Sequence, residues 1–404
     1  MSSTVAWTRK LLRHYYRRNP VYLPPRFGRR EYGFLFVGQD GMKRHTTFAT
    51  REDIGEFLAE RGPAHAYYSA AYYEQPEASR MDDKGWLGAD LIFDLDADHM
   101  PGHEEMTKAE MLEQVRVEAL KVAEEFLVGH FGFDPEDMKI AFSGGRGYHI
   151  HVTDPVVHEL GSAERREIVD YVTGNGIAIS RLVRRETFST EEVAGHVDEK
   201  QRWRLPAVGD PGWEGLFARE LVDLLDEWRQ LPREEALEAF GDLHGVGDKR
   251  AESLVDQLDE DAMAAVREGR VDSVPALANK TVIEAVTDRV RRAAIGEADE
   301  PVTADVHRLI RLPGSLHGRT GLRVTPLTLE GLKDFDPLVD AIALPAKPVT
   351  LELEEPETGQ IGGESYDLQP GTHEVPGYLA AFVAWPSVGT TKPDRPVVRE
   401  GAPA

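Results

Sequence analysis

A chain of 404 residues with 41% hydrophobic side chains can build one large or two ordinary domains around a real core, and no run of 18 apolar residues marks a membrane span. Cysteine is absent, which removes disulfides, thiol catalysis and every cysteine-held zinc or iron–sulfur site, so a bound metal falls to carboxylates or imidazoles. The 71 acidic against 47 basic residues leave a net charge of −24, which speaks against a polyanionic partner unless the bases cluster, and which suits the concentrated salt of a halophile.

The N-terminal stretch MSSTVAWTRKLLRHYYRRNP is basic and aromatic without a long apolar core, so it is no secretory signal and a cytoplasmic protein is expected. Within it WTRKLLRHYYRR reads as a short helix that ends before NPVYLPP. The bases do cluster: Arg9, Lys10, Arg13, Arg17, Arg18, Arg26, Arg29 and Arg30 follow one another with no acid between them, either as a solvated face or as a footprint for a polyanion. REYGFLFVGQDGMKRHTTF, from Arg30 to Phe48, alternates and breaks at Gln39-Asp40-Gly41, a hairpin pattern. REDIGEFLAERG is then a helix, followed by the aromatic HAYYSAAYYEQP, the acidic strand DLIFDLDADH at 90–99, and an amphipathic helix from about Lys108 to Val128. The apolar MKIAF leads through the loop SGGRG into the strand YHIHV.

From about Ser162 to Ala294 the pattern is helical and charged and reads as an insert of helices. Inside it, Gly245-Val-Gly247 lies between two helical patterns. It is either an ordinary glycine turn or a helix–hairpin–helix, whose backbone amides can meet DNA phosphates. Strand character returns in HRLIRLPGSLH and GLRVTPLTL. After about Pro345 the chain turns rich in Glu, Pro and Gly, the composition of a mobile or loosely attached tail, with YLAAFVAW as a short docking element.

Three segments carry chemistry. In the acidic strand, alternation sets Asp94, Asp96 and Asp98 on one face and Leu91, Phe93, Leu95 and Ala97 on the other. Carboxylates about 7 Å apart along a strand repel unless something positive sits between them. Mg²⁺ and Mn²⁺ prefer oxygen ligands, and two such ions about 3.5–4 Å apart clamp the attacking and leaving oxygens of phosphoryl transfer. The same spacing also occurs in calcium loops and exposed strand edges. In Ser143-Gly-Gly-Arg-Gly-Tyr-His149, glycines permit close backbone approach and free amides can meet an anion; Ser143, Arg146 and His149 add a hydroxyl, a cation and an imidazole. A plain glycine hairpin is the alternative. The third segment runs from Asp299 to Gly321, with Arg311 and His317 flanking a Pro-Gly turn, and suits a triphosphate pocket beside a metal.

In this order the three segments resemble the hallmark motifs of the catalytic small subunit of archaeal and eukaryotic DNA primases, over roughly residues 26–345, and REYGF resembles a further element of that family. The resemblance implies an α+β primase–polymerase catalytic domain over 1–345, with its core at about 26–155 and 295–345, a helical insert at about 160–294, and a tail at 346–404. It implies that Asp94, Asp96 and Asp299 hold two Mg²⁺ or Mn²⁺ ions. Aligning His317 and Arg311 selects Asp299 over the nearer Asp305. Ser143, Arg146, His149, Arg311 and His317 are then the groups on the nucleoside triphosphate, with Arg44 a further contact. The implied partners are a large iron–sulfur subunit in a heterodimer and a single-stranded DNA template, lying along a groove of Arg9–Arg30, Tyr15, Tyr16 and Tyr22; no membrane is involved. The activity is synthesis of short RNA, or also DNA, primers in replication. Many relatives carry a cysteine zinc knuckle after the paired acids. Here HMPGHEEMTKAEM follows, and His99, His103 and Glu104 are better read as solvated loop residues than as zinc ligands. A repair or end-joining primase–polymerase would share the site chemistry, and a single-strand-binding or calcium-binding protein would use the acids for a structural ion only.

Overall fold

The computed structural model describes residues 3–97, 106–176, 182, 184–193, 196–271, 274–294, 300–385 and 397–400. It divides into two units, Met1–Val169 with Glu297–Ala404, and Asp170–Gly296. Helices and mixed sheets alternate in the first unit, an α+β arrangement.

The first unit opens with α1 (Ser3–Tyr16), which buries Trp7, Leu12, Tyr15 and Tyr16. The hairpin β1 (Tyr32–Leu35) and β2 (Lys43–Thr46) follows, then α2 (Arg51–Arg61), begun by a Thr50/Asp53 capping box and ended by Gly62 in the left-handed region. Next come β3 (His65–Ser69), the pair β4 (Ala71–Tyr73) and β5 (Trp86–Ala89), and the acidic strand β6 (Leu91–Asp96). A second capping box, Thr107 with Glu110, starts α3 (Lys108–Lys121), which continues as a wider π-helix to His130. Its Leu112, Val115, Ala119 and Phe126 recur at helical spacing and face inward against β6 and β8. β7 (Met138–Phe142) and β8 (Gly147–Val152) flank the glycine loop, and α4 (Ser162–Val172) ends this half.

The second unit holds α5 (Gly212–Gln230), α6 (Arg233–Gly241), α7 (Asp248–Gln257), α8 (Glu260–Arg267) and α9 (Lys280–Ala294), closed on a core that includes Leu225, Trp228, Phe240, Leu254 and Val286. Reading it as helices alone needs correction. Arg184–Val193 and His196–Arg204 form an antiparallel hairpin, β9 and β10. These strands carry polar residues on both faces, so no apolar alternation announces them. The turn between α6 and α7 has Gly245 at φ 80° and Gly247 at the cap, and Arg250 Nη1 closes on the Gly245 carbonyl at 3.0 Å.

The chain then returns through α10 (Glu300–Ala304), β11 (Leu309–Arg311), β12 (Thr325–Leu327), α11 (Leu329–Lys333) and α12 (Pro337–Asp340). β11 completes one four-stranded sheet, order β11-β3-β1-β2, and β12 the other, order β12-β7-β8-β6. One short segment thereby joins both sheets, and the loop between its strands carries His317. The expected loose tail is not what the structure holds between 348 and 385. β13 (Pro348–Leu353), the hairpin β14 (Glu357–Ile361) and β15 (Glu364–Leu368), β16 (Gly371–Pro376) and α13 (Gly377–Ala384) are ordered elements, and β17 (Val397–Glu400) adds a strand beside β13. Trp385 is fully buried, and Val398 N–H donates to Thr4 Oγ1 on α1. Composition misled here because the Glu, Thr and Gly residues occupy the wet face of a sheet whose other face carries Val349, Leu351 and Leu353. Among the described residues no helix is long and apolar enough to cross a membrane.

Candidate active site

β6 behaves as its alternation demands. Phe93 and Leu95 are buried, while the side chains of Asp94 and Asp96 keep 20% and 34% of their exposure on the other face. Antiparallel register sets Asp94 opposite His149 and Asp96 opposite Gly147. His149 Nε2 lies 3.4 Å from Asp94 Oδ1, and burial holds its imidazole below the usual range although Asp94 pulls the other way. The ring therefore stays neutral and does not cancel the carboxylate. Arg146 Nε lies 3.7 Å from Asp96 Oδ1. A side chain at Gly147 would run into the Leu95 carbonyl, so glycine is what lets the two strands meet here.

The glycine loop is folded around Ser143, whose Oγ accepts the N–H groups of Gly145 and Gly147, each at 3.3 Å, and keeps its own proton to donate. Gly144 sits at φ 78°, and a Cβ there would fall 2.6 Å from His317 Cβ. Thr320 Oγ1 ties the two loops together: it donates to the Gly144 carbonyl at 2.6 Å, accepts Leu322 N–H at 3.2 Å, and lies 3.1 Å from His317 Nδ1. With its proton committed to Gly144, Thr320 accepts from Nδ1–H, which fixes the His317 tautomer and leaves Nε2 as an acceptor. Gly144→Ala is expected to lower activity at this site about a hundredfold while the far-ultraviolet spectrum stays native, because a misplacement of about 1 Å is enough for that loss. Wild-type activity in the variant would show that the two loops need not touch.

Arg311, on β11, pairs in register with Tyr67 of β3. Its guanidinium lies 5.2 Å from the centre of the Tyr67 ring and donates to Tyr67 Oη at 3.2 Å and to His65 Nδ1. His65 Nδ1 also accepts Gly318 N–H at 3.3 Å, and its ring meets His317 edge-on at 5.1 Å. Burial first, then Arg311 and Arg319, push His65 down to about 2, so it is a permanent acceptor. His317 is likewise held well below its usual range, by burial and by Arg311. His151, stacked on Tyr68, is pushed well down too, by burial and by His149. His65 and Tyr67 were not singled out from the sequence. Their only signal is period-two spacing in HAYYS, which marks a shared strand face and not a partner.

The three neutral imidazoles set a sign for acid stability. In the unfolded chain they protonate near pH 6.5, while in the fold His65, His151 and His317 do so only at much lower pH. The unfolded state therefore binds more protons below about pH 6.5, and stability falls as pH drops, by up to about 1.4 kcal/mol per pH unit for each ring. Urea unfolding in chelator is expected to give a lower midpoint at pH 5.5 than at 7.5. Equal midpoints would mean that the rings protonate in place.

The model of the DNA primase small subunit family matches residues 93–329, the span from the paired acids to just past β12. The chain is 42% identical over 388 residues to the DNA primase small subunit PriS of Methanothrix thermoacetophila, covering 95% of this chain and 97% of that one. It is 40% identical to the proteins of that name from Methanocella arvoryzae, over 94% of this chain and 96% of the relative, and from Halobacterium salinarum, over the same shares. The chain belongs to the DNA primase small subunit family.

Within this family frame several expected residues find other places. Asp299 lies outside the described residues, as do Asp98, His99, His103 and Glu104. The helix that begins one residue after Asp299, α10, packs Val302 against Ala70, Ile92 and Ile310, and Ile92 is on the same face of β6 as Asp94. The rival Asp305 is exposed, and its Oδ1 accepts His307 N–H at 2.9 Å, a local turn cap. Among the described residues no cluster of three metal-competent side chains forms, Asp94 and Asp96 being two. Arg44 forms a pair with Glu31 at 2.9 Å, a carboxylate that the buried Lys84 also meets at 3.3 Å.

The proposed template groove needs correction in part. Tyr15 and Tyr16 are buried: Tyr15 Oη donates to the Gly314 carbonyl at 2.9 Å and Tyr16 Oη accepts Leu316 N–H at 3.3 Å, so α1 braces the Pro313–Leu316 turn. Arg30 is buried in an ion pair with Asp90 at 2.6 Å. Arg13, Arg17, Arg18, Arg26, Arg29 and Tyr22 remain exposed. A helix one-third apolar must bury its tyrosines somewhere, and the spacing alone does not say against what.

Proposed function

We propose that the chain makes short RNA primers on single-stranded DNA by two-metal nucleotidyl transfer at the face of β6 that carries Asp94 and Asp96. Family membership makes it a primer-synthesising, DNA-directed nucleotidyltransferase of replication that works with a large subunit, a DNA template and nucleoside triphosphates. The finer reading adds Asp299 as the third metal ligand, a primase–polymerase fold for the first unit, an iron–sulfur cluster in the large subunit, and action in the cytoplasm. The observation that supports it best is the convergence of three distant segments: β6 and β8 in register, and the His317 loop locked onto the glycine loop through Thr320.

The donor set suits a hard cation. Two carboxylates share a partly exposed strand face, and the imidazole beside Asp94 is neutral, so oxygen is offered and the like charges still call for a positive ion. Two Mg²⁺ or Mn²⁺ ions would activate the primer 3′-hydroxyl and offset charge at the α-phosphate. The rest falls to side chains. Ser143 O–H and the loop backbone offer donors to phosphate oxygens, and Arg146 and Arg311 offset the charge that builds on the departing pyrophosphate. His65 and Tyr67 fix the Arg311 guanidinium, so it need not reorganise during the reaction. His149 hydrogen-bonds Asp94 and so orients its carboxylate.

The test is incorporation of labelled ribonucleotides on unprimed single-stranded DNA with Mg²⁺ or Mn²⁺, with the large subunit added. Metal-dependent primers support the reading. Binding of DNA without synthesis, even with the large subunit present, would instead favour a single-strand-binding protein whose acids hold a structural ion.

A further inference from the structure

Lys108 is a half-buried cation at the edge of this site that the family reading does not use. It is the first residue of α3, and its ammonium lies 4.0 Å from the centre of the Phe382 ring on α13. That helix packs Ala381 against Gly321, four residues beyond His317, so Lys108 sits between the C-terminal helix and the catalytic loops. Burial and then the charge of Arg146 push it down to about 8, and Lys108 in turn helps hold His317 neutral.

Three features of this placement are unfavourable without a ligand. A lysine at the first position of a helix stands where the macrodipole repels a cation. It is crowded by Arg146. In a chain of 71 acids and 47 bases, no carboxylate of the described residues pairs with it, whereas Arg116, Lys121 and Lys333 nearby pair with Glu113, Glu118 and Glu124. Glu110, in the same helical turn, instead accepts Thr107 N–H at 2.8 Å and Thr107 O–H at 2.7 Å. A helix N-terminus, an ammonium and a guanidinium converging on one space fit an anion. Arg146 stands next to Asp96, at the α-phosphate end of the site, so the space beyond Arg146 suits the far end of the triphosphate.

We propose that Lys108 binds the terminal phosphate of the incoming nucleoside triphosphate, with the Phe382 ring holding its ammonium in place. This rests on the nucleotide site assigned above.

The test is the affinity of the full chain, in Mn²⁺, for a fluorescent N-methylanthraniloyl nucleoside triphosphate and the matching diphosphate, with incorporation kinetics alongside. Lys108→Ala is expected to weaken triphosphate binding and raise KM about tenfold or more, the scale of one charged hydrogen bond, with diphosphate binding within about twofold. Lys108→Arg restores most of the loss. A merely structural lysine would lower the melting temperature on replacement; here Lys108→Ala is expected to melt no lower than wild type, since it removes a cation from a helix N-terminus. Unchanged triphosphate affinity, or equal losses for both nucleotides, overturns the inference while leaving incorporation and the site assignment intact. A wild-type protein that binds triphosphate through Lys108 but never incorporates it would instead overturn the primase reading, and one that binds no triphosphate overturns both.

Discussion

Asp94→Ala and Asp96→Ala each lower primer synthesis about a thousandfold or more and leave the protein folded. Both side chains are partly exposed on the wet face of β6, and the strand's packing belongs to Phe93 and Leu95, so truncating either acid opens no core cavity. Removing one of two like charges a strand repeat apart also relieves repulsion, so the melting temperature is expected to hold or rise. Asp299→Ala falls with these two, and Asp305→Ala stays near wild type because its carboxylate serves only the His307 turn. Activity retained in Asp94→Ala would sink the metal-site assignment. Activity retained in Asp299→Ala but lost in Asp305→Ala would move the third ligand to the rival.

Asp90→Ala is expected to cost about 3–5 kcal/mol of stability, a large part of the 5–15 kcal/mol that holds a domain together. Arg30 is fully buried, and its guanidinium donates to the Ser69 and Ala70 carbonyls at 2.7 and 2.9 Å, to Tyr72 Oη at 2.9 Å and to Asp90 Oδ2 at 2.6 Å. Tyr72 O–H donates to the other carboxylate oxygen, and the guanidinium lies 4.1 Å over the Tyr72 ring. Without Asp90 the positive charge stays buried with neutral partners only, and the residue lost stands directly before the catalytic strand. Arg165 adds a second buried cation on the Asp90 and Ala89 carbonyls, at 2.7 and 2.8 Å. Urea unfolding measures the loss; a change below about 1 kcal/mol would mean that water reaches Arg30 in the variant. The double variant Asp90→Leu, Arg30→Met is expected to lose less than Asp90→Ala, because no charge remains unpaired.

The two kinds of outcome separate what this chain does from what holds it. Acids on β6 carry chemistry at little structural cost, whereas the Arg30–Asp90 pair one strand end away carries structure. Both look alike in the sequence, as charged residues among apolar ones. Burial distinguishes them: 1% exposure at Asp90 against 20% and 34% at Asp94 and Asp96.

Residues with a local physical signature were legible in advance. Alternation alone placed Asp94 and Asp96 opposite Phe93 and Leu95, and the density of glycine alone placed a tight anion-competent turn at Ser143–Gly147, because both are properties of a few consecutive dihedral angles. The capping residues Thr50 and Thr107 are local in the same way. The β9–β10 hairpin and the sheet of 348–376 were not legible, since their strands are polar and only a partner's face tells them from loops.

By itself, then, the sequence determined which groups could do phosphoryl chemistry and on which faces of their elements they stand. Only the tertiary structure decided which of them meet. Arg311 reaches His65 across 246 residues, Tyr15 reaches Gly314 across 299, and Thr320 reaches Gly144 across 176. Such contacts form when β11 and β12 close the two sheets and bury the side chains between them, and a pairing paid for by burial leaves no periodicity in the chain that makes it.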